Sequence, residues 1–167
     1  MSLMPPNILL LSIHHKYASM IFEGDKRVEL RRVRPRHLNK GDFLLVYVTS
    51  PEQALVGFIE VEKVVEMVPA KLWQIVKNEA GITYQEFNKY YANSTTGFAI
   101  FLKEPFKFNK PIELEQLRKI WSNFQPPQCY KYLKDREVSL VESMTHHKIS
   151  TISEKSKYYQ TELLLKK

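Results

Sequence analysis

The sequence predicts a mixed α+β domain: a small, curved, barrel-like sheet with helices at its ends. Three observations lead to this class. Apolar runs are short and strand-sized, as in Asn7–Ile13 and Phe43–Thr49. Segments of helical period interleave with them in the order β-α-β-β-β-α-α-β-β-α. Some strands have one wet face, since Ile59 and Val61 alternate with Glu60 and Glu62.

Each element follows from its residues. Asn7 to Ile13 reads as a buried strand, and residues 15–23 as a helix through Tyr17, Met20 and Ile21, ended by Gly24. Lys26 to Arg32 has strand alternation: Val28 and Leu30 point one way, Arg27, Glu29 and Arg31 the other. Arg34-Pro35 breaks it. After a turn at Asn39–Asp42, the run Phe43–Thr49 suits a central strand. Ala54 to Met67 is a longer strand with a change of register expected near Val64-Val65. Pro69 opens a helix whose buried face is read as Leu72, Ile75 and Val76, closed by Gly81. Thr83 followed by Glu86 is a capping box for a second helix carrying Phe87, Tyr90 and Tyr91. Two strands, Gly97–Leu102 and Phe106–Phe108, are expected to join at Glu104-Pro105. A short helix spans Ile112–Trp121, and Phe124–Leu133 reads as an extended segment stiffened by Pro126-Pro127.

The 167 residues suggest one domain over 7–144. A polar tail over 145–167 is expected, either mobile or a helix docked on a neighbour. The formal net charge of +7 favours polyanionic partners. A lone Cys129 excludes an internal disulfide and fits a reducing compartment. With no bilayer-length apolar run and no signal-peptide pattern at Met1–Pro6, a cytoplasmic location without a membrane partner is expected. With five glycines there is no Gly-rich phosphate loop, and no Walker or nucleophile-elbow motif is present. The adjacent pairs His14-His15 and His146-His147 lack a surrounding Cys/His cluster, so neither a metal site nor a cofactor is expected.

Charge concentrates between Lys26 and Arg36, where six basic side chains stand against one acid, Glu29. Arg27, Glu29 and Arg31 share a face and could form an ion-pair ladder on a wet strand, or, with Arg32, contact a phosphate-bearing ligand. Lys26 falls on the opposite parity, and either snorkels or lines a cavity where its charge is disfavoured. Glu79 lies seven residues after Leu72, on the apolar face of its helix. It either escapes to solvent at the helix end or faces a pocket toward Lys26. In Phe124–Leu133, Gln128, Tyr130 and Tyr132 could stack and bond to an unpaired nucleobase, or pack as a lid on the core.

The octamer Gly24-Asp25-Lys26-Arg27-Val28-Glu29-Leu30-Arg31 resembles the G-x-K-x-x-E-x-R signature of the ASCH domain, part of the PUA-like superfamily. Residues 9–24 resemble that family's opening strand and helix, residues 41–51 its next strand, residues 73–87 its helical insert, and residues 126–133 a closing segment of one subgroup. The resemblance spans about residues 7–133. It implies a PUA-like barrel with helices at its mouth and a cleft lined by the signature residues. The implied role is recognition of RNA or a nucleotide-like small molecule, in RNA metabolism or in regulation of transcription or translation. Some members of the family resemble nucleases. One branch removes an acetyl group from a modified cytidine, using a Lys, a Thr three residues later and a distant Glu. Position by position, that set implies Lys26 and Glu79 as catalytic candidates, but Glu29 stands where the Thr would be. A hydroxyl nucleophile is therefore missing. The sequence leads to a binding module, with an amidohydrolase or RNA-cleaving enzyme as the alternative, and leaves oligomeric state open.

Overall fold

The computed structural model describes residues 4–149. Residues 150–167 of the expected tail lie outside the described residues. The elements are β1 (Ile8–Ile13), α1 (His15–Glu23), β2 (Val28–Arg31), β3 (Phe43–Val48), β4 (Ala54–Met67), α2 (Pro69–Val76), α3 (Tyr84–Tyr91), β5 (Gly97–Glu113), α4 (Leu114–Ile120), β6 (Tyr130–Tyr132) and α5 (Asp135–Thr145). The strands form one curled half-barrel in the order β2-β5-β4-β3-β1-β6, the PUA-like α+β fold. β1 and β3 run parallel; the other pairs are antiparallel.

The middle of the sheet is buried on both faces, which is why β1 and β3 read as unbroken apolar runs. Leu9, Leu11 and Ile13 of β1 join Leu44, Val46 and Val48 of β3 beneath Ala18 and Ile21 of α1. The alternate residues, Ile8, Leu10, Phe43, Leu45 and Tyr47, meet Leu117 of α4 and Val141 of α5 on the other side. A third cluster packs Leu72, Val76, Phe87 and Tyr91 of the two middle helices onto Val28, Leu30, Ala99 and Phe101.

Curvature comes from β4 and β5. Their ladder shifts register between Leu55 and Gly57, between Phe58 and Glu60, and between Val61 and Lys63. Each shift bends and twists the pair. The expected single change near Val64-Val65 therefore gives way to three earlier ones. The expected break at Glu104-Pro105 is one of them: Lys103 pairs Glu60 and Phe106 pairs Phe58, so Pro105, which has no N–H to donate, sits where the ladder slips. Gly57 allows the close approach there, since a Cβ on it would lie 2.2 Å from the Phe106 carbonyl oxygen.

Three other expectations change. Ile75 is exposed, because on a 3.6-residue helix it lies roughly 60° from Leu72, at the edge of the stripe. The segment Phe124–Leu133 contributes β6, which pairs Leu9 and Leu11 of β1 through Tyr132 and Tyr130. Helix α5 was not read from the sequence, although Val138, Val141 and Met144 recur on one face and join the core. Beyond it, Ile149 is buried in the same cluster.

The capping box at α3 is formed: the Glu86 N–H donates to the Thr83 hydroxyl at 3.2 Å, and the Thr83 N–H to the Glu86 carboxylate at 2.7 Å. Thr83→Ala is expected to cost about 1 kcal/mol, measured as a lowered urea midpoint with an unchanged m-value.

Candidate functional site

A cleft of about 240 Å³ opens where the half-barrel does not close. It is lined by Ser12, Ile13 and His14 at the end of β1, Tyr17 of α1, Lys26, Glu29, Leu30 and Arg31 around β2, and Ile82, Glu86 and Tyr90 at α3. The first strand and the β2 edge are not neighbours in the sheet order. Arg31 nevertheless joins them: its Nη2 donates to the Ser12 carbonyl at 3.0 Å and pairs with Glu29 Oε1 at 3.0 Å. Tyrosine hydroxyls cap β2: that of Tyr90 donates to the Leu30 carbonyl on the outer edge, and that of Tyr91 to the Arg31 carbonyl at 3.0 Å and the Phe98 carbonyl at 3.4 Å, at the end of the β2-β5 ladder.

Glu29 is buried, so the wet-strand ladder is not what forms. β2 starts at Val28, and Lys26 belongs to the turn that follows Gly24, the left-handed C-cap of α1 with φ 89°. Strand parity therefore does not govern Lys26, and it reaches the same cleft as Glu29. Its Nζ donates to the Ala80 carbonyl at 2.7 Å and lies 5.4 Å from the centre of the Tyr17 ring. Burial lowers the Lys26 pKa, the more so beside the Arg31 guanidinium, while Glu29 and Glu86 oppose the shift. Burial likewise raises the Tyr91 hydroxyl pKa.

The sequence profile of the ASCH domain matches residues 11–112. A Zymomonas mobilis protein named ASCH domain-containing ribonuclease is 30% identical over 136 residues, 81% of this chain and 90% of that one. The chain belongs to the ASCH domain family. The crystal structure of ASCH from Zymomonas mobilis superposes with a TM-score of 0.77 at 30% identity, covering 83% of this chain and 95% of that one. The large ribosomal subunit protein uL22 of Ureaplasma parvum is 27% identical over 127 residues, 75% of this chain and 39% of that protein's length. The N-terminal domain of Staphylothermus marinus McrB shares the fold at 14% identity and a TM-score of 0.52, with 81% of this chain and 93% of that one covered.

In this ASCH domain the sequence candidates divide. Lys26, Glu29 and Arg31 line the cleft together. Arg32 is exposed and stacks over Tyr90 at 4.9 Å, placing a cation at the rim. Arg27 turns to the other side of Lys26, into a second cavity. Glu79 is not part of the cleft lining. The helix that would have carried it on its apolar face stops at Val76, and the Glu79 carbonyl accepts from the Arg27 N–H at 2.8 Å. Gln128 is exposed, and Tyr130 is half-buried in β6. Their segment is tied to the cleft's edge by the Ser12 hydroxyl, which donates to the Pro127 carbonyl at 2.6 Å. Glu86 and Tyr90 were read only as helix residues. The signal available was their position on α3, four residues apart and so on one face.

The lining thus sets two cations, Lys26 and Arg31, against two carboxylates, Glu29 and Glu86, with aromatic walls at Tyr17 and Tyr90. Among the described residues, no group of three or more His, Cys, Asp or Glu side chains is placed to hold a metal ion. No helix among them is long and apolar enough to cross a membrane.

Arg31→Ala is expected to cost about 3 kcal/mol, because it takes the direct ion-pair partner from the buried Glu29 carboxylate. The Glu29→Gln/Arg31→Met pair should cost less than the sum of its single changes in a urea double-mutant cycle. The lowered Lys26 pKa has a definite sign. The folded state loses the Lys26 proton before the unfolded state does, so this group's contribution to stability rises with pH from its folded pKa up to the ordinary lysine value. Lys26→Met removes that slope, so between pH 7 and pH 10 the parent should gain stability relative to the variant in paired urea melts.

Proposed function

We propose that this ASCH domain recognises RNA by holding one unpaired base, or a nucleotide-like small molecule, in the cleft at the mouth of the half-barrel. The observation that carries this reading is the composition of the lining. Two aromatic rings flank fixed donors and acceptors of both signs, as a flat, polar, uncharged base requires. Bare phosphate would meet Glu29 and Glu86, so backbone contacts fall to the rim. Arg32, stacked on Tyr90 at the rim, supplies them. The volume is below the roughly 300–1,000 Å³ of drug-sized ligand sites, which suits a single base. Roles in RNA metabolism or in regulation of transcription or translation are consistent with this chemistry.

A second reading is RNA cleavage, favoured by the name of the Zymomonas mobilis relative. Lys26, with its lowered pKa, would exchange protons with the reacting groups there. Removal of an acetyl group from a nucleoside has less support. Glu29, at the position of the nucleophile, is already held by Arg31, and Glu79 is outside the lining.

The test is anisotropy of labelled single-stranded RNA over a salt series. Affinity should fall steeply with salt. Tyr90→Ala should weaken binding about tenfold or more, and Arg32→Ala should reduce the salt slope by about one. No binding to micromolar RNA at low salt would refute the proposal. A gel of full-length RNA, for parent and Lys26→Ala, separates the second reading; equal loss with both proteins removes Lys26 from any cleavage.

A further inference from the structure

We propose that the larger cavity on the other side of Lys26 is a second nucleotide subsite, which takes the ribose phosphate of the residue next to the bound base. The inference rests on the reading of the cleft given above and names what lies beyond it.

The cavity holds about 510 Å³ and is bounded by the end of α1, the Gly24–Arg27 turn, Lys40, and the facing stretches of β4 and β5. Its floor is apolar, with Ile21, Val61 and Leu102. Its walls carry both signs: Lys26, Arg27, Lys40 and Lys103 together with Glu60, Glu62 and Glu104. Lys103 pairs with Glu60 at 3.8 Å. Arg27, Lys40 and Glu62 are exposed and reachable from solvent.

Two features make this a neighbour of the cleft. First, Lys26 lines both cavities and stands as a partition between them. That partition is rigid. The Lys26 N–H donates to the Met20 carbonyl at 3.1 Å, the Arg27 N–H to the Glu79 carbonyl, and the Arg27 carbonyl accepts from the Leu102 N–H at 2.9 Å. Second, Tyr17 lines the cleft and Ile21 the outer cavity. Four residues apart on α1, they share a face about 6 Å apart along the axis. One nucleotide step spans such a distance.

The mixed walls select the ligand. A free anion would meet Glu60 and Glu62; a cation would meet Arg27 and Lys40. A ribose phosphate satisfies both, because its hydroxyls donate to carboxylates and its phosphate oxygens accept from Arg and Lys. The same contacts would favour ribose over deoxyribose through the 2′-hydroxyl.

The experiment is calorimetric titration of ribo-mononucleotides, ribo-dinucleotides and deoxyribo-dinucleotides into the full chain and into Lys40→Ala/Glu62→Gln. This double variant removes one charge of each sign at exposed positions, so net charge and general attraction for polyanions are kept. The parent should bind ribo-dinucleotides at least tenfold tighter than mononucleotides and than deoxyribo-dinucleotides. The double variant should lose that tenfold advantage and keep mononucleotide affinity. Equal parent affinity for mono- and dinucleotides would overturn the subsite, as would a variant that loses nothing or loses both equally. Those outcomes leave mononucleotide binding intact in the parent. Failure of the cleft reading differs, because the parent then binds no nucleotide at all, and the subsite falls with it.

Discussion

The bond from Arg31 to the Ser12 carbonyl is the contact on which the rest of the site depends. β2 and β1 stand four places apart in the sheet, and only a strongly curled sheet brings them within one side chain of each other. One guanidinium nitrogen, Nη2, holds the Glu29 carboxylate and the Ser12 carbonyl at once. The half-barrel is thus closed on one side by a side chain instead of a ladder, and the cleft is the space which that substitution leaves open.

Curvature and chemistry are linked through the same strands. The three register shifts between β4 and β5 bend the sheet, and the shift at Pro105 also lies beside the outer cavity. The helices α2 and α3 then settle on β2 and β5; on α3, the Tyr90 hydroxyl takes the Leu30 carbonyl of the free β2 edge, and that of Tyr91 the Arg31 carbonyl at the end of the ladder. This aromatic layer does two things. It blocks an edge that could otherwise recruit another strand, and it places Tyr90 and Glu86 in the cleft.

Lys26 is the residue with the least ordinary environment. Its ammonium group is below the surface, hydrogen-bonded to a peptide carbonyl and close to a tyrosine ring. Retaining a charge there costs stability, and the fold supports it with two nearby carboxylates. Such an arrangement is common where a group must meet a ligand away from bulk water. It also divides the two cavities, so one side chain sets the spacing between whatever occupies them.

By itself the sequence determined the fold class, most element positions, the capping box at Thr83 and Glu86, and the Lys26, Glu29 and Arg31 group. These are local properties: periodicity, turn chemistry and a short spacing are written in neighbouring residues. The tertiary structure decided what depends on distance along the chain. Arg27 and Arg31 share a strand face on paper, yet they enter different cavities because the strand begins only at Val28. Glu79 matches a helical stripe, but the helix ends at Val76 and its periodicity ends there. β6 needed β1 as its partner, with more than a hundred residues between them in the chain. Glu86 and Tyr90 became site residues only when α3 was docked beside β2. The "GDKRVELR" segment supplies the charges, and the curl of the sheet decides which of them face one another.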